Sequence, residues 1–97
     1  MGLEEICKGG FHKVLKAEIP AGGKMEEHYT TSDAFVVVVD GNAKLIFKDK
    51  QVDLCAGSAF LIPGLKPHSL IVSSDLKAFF TLAPMGKIKG VKTNTKQ

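Results

Sequence analysis

Two stretches of the sequence decide the fold: GGKMEEHYTTSDAFVVVVDG at residues 22–41 and GSAFLIPGLKPH at residues 57–68. Each opens on a glycine and carries one histidine, His28 in the first and His68 in the second. The mixture of β-branched and aromatic residues with glycine and proline is typical of strands joined by tight turns. Imidazoles from separate strands that meet in one interior form a metal site when other ligands join them. The histidine pair is therefore the first candidate for a functional site.

Strand patterns continue outward from these stretches. Apolar residues alternate with polar ones from residue 11 to 19, which predicts a half-buried strand. Residues 34–39 give the strongest strand prediction, because four consecutive valines favour a pleated surface over a helix. Both faces of this strand are apolar. We therefore expect one face to line the interior and the other to meet a second sheet or a partner subunit.

Turn signals recur at the roughly 8–12-residue spacing of all-β sandwiches and barrels. Asp40-Gly41-Asn42 predicts a tight hairpin, and Ser73-Ser74-Asp75 predicts a last hairpin between strands at 69–72 and 76–82. Residues 3–7 predict at most one helical turn, too short to be stable alone. The chain is thus expected to be a single all-β domain over residues 1–97, with a barrel core at about 12–83 and a basic tail at 84–97.

The composition excludes several classes of protein. The 97 residues are 44% hydrophobic and 24% charged, as in an ordinary globular domain. No stretch approaches the roughly 20 apolar residues of a membrane span, and the acidic start lacks the apolar run of a signal peptide. The two cysteines have no Cys-x-x-Cys spacing, which argues against a disulfide framework or zinc knuckle. We expect a cytoplasmic protein that does not associate with membranes.

The charge is distributed unevenly. All thirteen basic residues are lysines, and the last fourteen residues hold four of them with no acid. The remaining nine lysines face ten acidic residues, a balance of −1. Without arginine the chain lacks a bidentate fork for phosphate or guanine, so we expect no nucleic-acid partner.

The two quoted stretches resemble the motifs of the cupin superfamily, G-x5-H-x-H-x3-E-x6-G and G-x5-P-x-G-x2-H-x3-N. Gly22, His28 and Gly41 match the first motif without gaps, and Gly57, Pro63 and His68 match the second. The resemblance covers about residues 12–83. It implies a double-stranded β-helix, the jelly-roll barrel of a small single-domain cupin.

The departures from these motifs concern the metal ligands. Cupins of the metal-binding type hold Mn, Fe, Ni, Cu or Zn with three histidines and one glutamate. The second histidine of the first motif falls on Thr30, and the glutamate falls on Ala34. Only His28 and His68 carry over, and two imidazoles alone hold a divalent ion weakly. The sequence favours a metal-free polar pocket over a bound transition metal.

Other residues could complete or line such a site. In a regular strand Glu26, His28 and Thr30 project to one face, so Glu26 could supply an oxygen. Asp33 adjoins the position that lost its glutamate, and a bulge could turn it inward. His12 would add an imidazole only if the first strand crossed the mouth of the barrel. The simpler interpretation is that Glu26 and His12 are solvated surface residues.

Three functions stay open at this point. The first is a small-molecule-binding or sensing barrel with little or no catalysis and a weakened metal site. The second is a metal-dependent enzyme, an oxygenase or isomerase, that uses His28 and His68. The third is a structural or interaction module with a filled barrel. The doubly apolar strand at 34–39, and the sheet-to-sheet pairing common among small cupins, both predict a homodimer.

Overall fold

The computed structural model describes residues 2–91, and every regular element in that range is a β-strand. This confirms the all-β class. The eight strands are β1 (Gly2–Lys8), β2 (Lys13–Ile19), β3 (Lys24–Thr30), β4 (Ala34–Phe47), β5 (Gln51–Cys55), β6 (Ala59–Ile62), β7 (His68–Leu82) and β8 (Ile88–Gly90). Within the described residues the structure contains no helix with the length and apolar character needed to cross a membrane.

Two long strands, β4 and β7, hold the sheet together. They run antiparallel from the Ala34–Leu82 pair to the Phe47–His68 pair. Near the Ala34–Leu82 pair, β7 also pairs with β2 and β4 pairs with β6. Near the Phe47–His68 pair, β7 pairs with β3 and β4 pairs with β5. The sheet curls around the apolar side chains of these strands. β1 extends it beside β2, and β8 extends it beside β3.

Both hairpins predicted at Asp40-Gly41-Asn42 and at 73–75 are wrong, because each of these segments lies inside a long strand. β4 and β7 bend together there, and their register shifts around Asp40 and Asn42. Gly41 has a φ of 92°, and a Cβ on it would overlap the carbonyl oxygen of Asp75 on the facing strand. Glycine is thus required for a bend and a close approach of two strands, not for a two-residue turn.

The edge strands lie outside the range predicted for the barrel core. Residues 3–7 belong to strand β1, so the predicted helical turn is wrong; pairing with β2 gives their backbone groups partners that a single turn could not. The segment predicted as a basic tail contains β8, which pairs with β3 from His28 to Thr30. Residues 92–97 of that tail, including Lys92 and Lys96, lie outside the described residues.

The core is apolar and is supplied by alternate residues of the strands. In β4, Val36 and Val38 are buried while Phe35, Val37 and Val39 keep substantial exposure. The main apolar cluster comprises Leu15, Ile19, Ala34, Val36, Val38, Ala43, Leu45, Phe47, Leu54, Ile62, Leu70, Val72, Leu76, Ala78 and Leu82. One face of the valine run therefore lines the interior as predicted. The other face is not covered by residues 2–91.

Candidate functional site

Strands β3 and β7 bring the two motif histidines together. His28 and His68 are directly opposite each other in the β3–β7 ladder. Their ring centroids are 4.4 Å apart with an interplanar angle of 66°, an edge-to-face arrangement. Their exposed fractions are 9% and 3%, so both rings lie within the curled sheet. The sequence prediction that they converge inside the barrel agrees with this geometry.

A β-bulge in β3 decides which of its side chains accompany His28. Met25 pairs with Leu70 and His28 pairs with His68, so two residues of β3 oppose one residue of β7. The extra residue changes the alternation, and Met25, His28 and Thr30 all contribute to the interior cavity.

Glu26 does not share a face with His28, contrary to the expectation for a regular strand. Its side chain is 81% exposed and its carboxylate lies 3.2 Å from the ammonium group of Lys24. The bulge is the reason, since it shifts the parity of β3 between Met25 and His28. Glu26 still acts on the site, but through its backbone carbonyl.

Backbone carbonyls fix the tautomer of both histidines. The Nδ1 of His28 lies 2.7 Å from the carbonyl oxygen of Glu26, and the Nδ1 of His68 lies 2.9 Å from that of Lys66. A carbonyl oxygen only accepts hydrogen bonds, so each Nδ1 carries the proton and donates it. In the neutral ring each Nε2 then keeps a lone pair. Neither Nε2 has a hydrogen-bonding partner within residues 2–91, and neither is sealed from solvent.

The environment of His68 favours its neutral form. Burial lowers the pKa of His68 below its ordinary value of 6.5. The hydrogen bond to the Lys66 carbonyl acts in the opposite direction, and the neighbouring His28 adds to the lowering. A proton on His68 would be poorly solvated and close to a second basic ring. At neutral pH His68 is therefore a hydrogen-bond acceptor at Nε2.

Thr30 is the third polar residue of the site. It is buried, and its hydroxyl donates a 2.6 Å hydrogen bond to the carbonyl oxygen of Ser32. The hydroxyl proton is therefore committed to the backbone. The oxygen can only accept from a group in the cavity.

The cavity around the histidine pair is narrow and mainly apolar. Only about 20 Å³ of it admits the centre of a water molecule, roughly the space of one water. Its lining consists of Leu3, Met25, His28, Thr30, Ala34, Ile62, His68, Phe80 and Ile88. A second lobe, of about 10 Å³ by the same measure, lies against Val36, Leu45, Leu54 and Leu70. The cavity therefore holds about one water molecule as it stands, and a larger ligand must displace lining side chains.

Comparison with known proteins identifies the family. A model of the Cupin domain family matches residues 15–83, well over half of the chain. This chain belongs to the cupin family. No curated protein is similar enough in sequence to count as a match.

Solved structures share the cupin's fold at low sequence identity. A cupin-2 domain containing protein from Shewanella frigidimarina has a TM-score of 0.75 at 17% identity, with 84% of this chain and 79% of that chain covered. An RmlC-like cupin protein from Desulfovibrio desulfuricans has a TM-score of 0.73 at 20% identity, with coverage of 86% and 81%. A salicylate 1,2-dioxygenase from Pseudaminobacter salicylatoxidans has a TM-score of 0.74 at 17% identity; the match covers 81% of this chain but 25% of that chain. These likenesses confirm the jelly-roll fold and carry no activity with them.

The residues of this cupin do not fit a tightly held metal ion. Thr30 and Ala34 occupy the two ligand positions that the motif departures identified, and both border the cavity. Residues 2–91 contain no group of three or more histidine, cysteine, aspartate or glutamate side chains that could hold a metal. Two imidazoles leave half or more of the usual coordination to water or to a bound molecule.

Asp33 and His12 lie away from the histidine pair. The carboxylate of Asp33 is exposed and accepts a 2.8 Å hydrogen bond from the backbone N–H of Gly64. The next residue, Leu65, donates to the Thr30 carbonyl at 2.7 Å. Asp33 thereby secures the loop that presents the Lys66 carbonyl to His68. His12 is exposed ahead of β2 and borders a separate surface groove with Asp33.

Sequence reasoning missed the residues at the mouth of the cavity. Leu3 comes from β1 and Ile88 from β8, the strands at opposite ends of the main strand order. No local pattern marks them, because their position depends on how the whole sheet curls. Met25, Ile62 and Phe80 follow apolar positions in predicted strands and could have been assigned to the interior in general terms.

Proposed function

We propose that this cupin is a small-molecule-binding domain whose ligand occupies the cavity at His28 and His68. One observation carries the proposal: two buried imidazoles, each oriented by a backbone carbonyl, leave their free Nε2 atoms to one mainly apolar cavity. An apolar enclosure with a few convergent polar groups is the usual character of a ligand pocket.

The same site offers little for catalysis. No carboxylate among residues 2–91 lines the cavity, and both imidazoles offer it the same group, an Nε2 acceptor. A general acid–base pair needs two groups with different protonation states. Binding or sensing therefore accounts for the site better than turnover does.

Access to the cavity runs between the sheet edges. Leu3 and Ile88 both remain partly exposed while they border the cavity. Strand β1 is exposed along its whole length, and within residues 2–91 its one pairing partner is β2. Displacement of these two side chains would admit a ligand, and a bound ligand would change how β1 and β8 sit. Ligand binding in the cavity would thus change the exposed surface formed by β1 and β8. A sensor requires such a change between its free and bound states.

A metal-dependent oxygenase or isomerase is the second candidate. The observation that favours it is the hydrogen bond from each Nδ1 to a carbonyl, an arrangement common in metal-ligating histidines. Water or a bound molecule would have to supply the remaining ligands. Metal analysis of protein purified without a histidine tag separates the two candidates, since an enzyme of this type would carry close to one ion per chain.

We place the protein in the cytoplasm. Cys7 and Cys55 are both exposed free thiols, a state that a reducing compartment preserves. Fractionation of cells that produce the untagged protein would test this location.

Ligand-observed NMR with chelator-treated protein tests the binding function. A collection of small single-ring compounds is screened against the wild type and against Ala34→Leu, which fills the cavity next to the histidines. Val37→Leu, on the outward face of the same strand, is the matched control. We expect compounds that bind the wild type and Val37→Leu but not a folded Ala34→Leu. An absence of any ligand, or ligands indifferent to Ala34→Leu, would support the filled-barrel module instead.

A further inference from the structure

The polar atoms of the cavity are all hydrogen-bond acceptors. His28 and His68 present Nε2 lone pairs, because their Nδ1 protons are donated to backbone carbonyls. Thr30 presents an oxygen whose proton is donated to Ser32. Met25 adds a thioether sulfur, a weak acceptor. No side chain that lines the cavity within the described part of the chain offers a free donor.

Because the cavity lining offers only hydrogen-bond acceptors, the charge of a ligand affects how well it can bind. A carboxylate that entered would lose its hydration and gain no donor, while facing two nitrogen lone pairs and an oxygen. A cation would find acceptors but no carboxylate to balance its charge, since the lining contains none. A neutral O–H or N–H donor replaces the hydrogen bond that water makes to Nε2 and leaves no buried charge.

The shape of the cavity limits the size of the ligand. The space that admits water centres is small, and Ile62, Phe80 and Met25 enclose it with apolar surface. The two ring centroids are 4.4 Å apart, so one hydroxyl can donate to either imidazole, and two adjacent donors on one small molecule can reach both. A ligand larger than water must therefore displace lining side chains, and Leu3 and Ile88 are the two apolar lining residues that remain exposed.

We propose that the ligand is a small neutral molecule of the phenol type, with an apolar ring and one or two hydroxyl or N–H donors that bond directly to the Nε2 atoms of His28 and His68. This rests on the proposed binding function and names the ligand class for the same cavity. It sets the site apart from one that binds organic acids.

Four matched probes test this ligand class: phenol, anisole, benzoate and benzylammonium. Calorimetric titration uses chelator-treated protein at pH 7.5, where phenol is neutral. Phenol should bind about tenfold more tightly than anisole, in which a methyl group replaces the donor proton. Benzoate and benzylammonium should show no measurable binding. Equal affinity for phenol and anisole, or tighter binding of benzoate, would overturn the proposal.

Variants of the imidazoles show whether the donor meets them. His28→Phe and His68→Phe keep a ring in place but remove the acceptor, so the variant that removes the acceptor of the phenol hydroxyl should weaken phenol about tenfold, and both should leave anisole unchanged. His12→Phe, the same substitution outside the cavity, should behave as the wild type. If a phenylalanine variant does not fold, His68→Gln keeps the test open, because its amide adds a donor and should create benzoate binding.

The outcomes separate the ligand class from the binding function. Some compounds could lose binding in Ala34→Leu and yet bind equally well with and without a donor proton. Such compounds would support the binding function and refute the phenol-type ligand class. If neither the probes nor the screened compounds bind, the binding function itself is refuted.

Discussion

At the scale of single residues, the protonation of His68 links the site to stability. Because burial lowers its pKa, the unfolded chain binds a proton that folded His68 resists. The free energy of unfolding should therefore be at its full value above about pH 6.5, and should fall as the pH drops through the window between 6.5 and the lower folded pKa. Thermal midpoints from pH 7.5 to 5 measure this effect.

A paired variant isolates the contribution of His68. His68→Gln should flatten the pH dependence between 7.5 and 5, while His12→Gln should retain it because His12 is exposed. An unchanged slope in His68→Gln would show that other groups cause the loss of stability.

The incomplete ligand set can be repaired at two residues. Thr30 and Ala34 border the same cavity as His28 and His68. The double variant Thr30→His/Ala34→Glu should therefore gain orders of magnitude in affinity for Zn or Ni over the wild type, because each added ligand replaces a water molecule. Calorimetric titration with metal measures the gain.

The weaker metal binding of the wild type should disappear in either His28→Ala or His68→Ala. Equal affinity in the wild type and the double variant would contradict the alignment of Thr30 and Ala34 with the ligand positions. Tight binding by the wild type would give priority to the enzyme candidate.

At the scale of elements, the joint bend of β4 and β7 depends on Gly41. A side chain there would need a positive φ and would also overlap the backbone of Asp75. Gly41→Ala should destabilise the protein by about 3 kcal/mol. Gly22 has a similar φ of 85° but open space around it, so Gly22→Ala should cost only about 1 kcal/mol. Urea unfolding compares them, and equal losses would refute a close approach at Gly41.

Sequence patterns predicted most strands but not how they connect. The turn at Pro20–Gly23 and the loop before His68 coincide with glycine and proline residues, which favour turns. Asp40-Gly41-Asn42 failed as a hairpin because a positive-φ glycine serves a bulge as well as a turn. Which of the two forms depends on the facing strand β7, more than thirty residues away in sequence.

The candidate site shows the same division between local and non-local information. The spacing of the sequence and its resemblance to the family motifs predicted His28 and His68 as site residues. The solvated position of Glu26 was the simpler interpretation, but the bulge that causes it could not be predicted, because a bulge is a mismatch between two strands and leaves no mark in one of them. Leu3 and Ile88 enter the cavity only through the curl of the complete sheet.

At the scale of the whole molecule, we propose that the uncovered face of β4 pairs two copies of the chain. Phe35 and Val39 are 43% and 49% exposed, and Leu61 on the adjacent strand β6 is 56% exposed and pairs with Phe35. Sedimentation equilibrium should show a dimer at micromolar concentration. Val37→Lys should dissociate it, whereas Lys44→Glu, outside this face, should not. A monomeric wild type would rule out this assembly.

The proposed site requires two imidazoles that are protonated at Nδ1 and free at Nε2 to receive a donor. The most direct measurement is a two-bond proton–nitrogen NMR spectrum of the histidine rings in chelator-treated protein, with and without phenol. We expect the Nδ1-protonated form for His28 and His68, and a shift of at least one of their Nε2 resonances with phenol while His12 stays unchanged. Protonation at Nε2 in the free protein, or Nε2 resonances that both fail to respond to phenol, would contradict the proposed site.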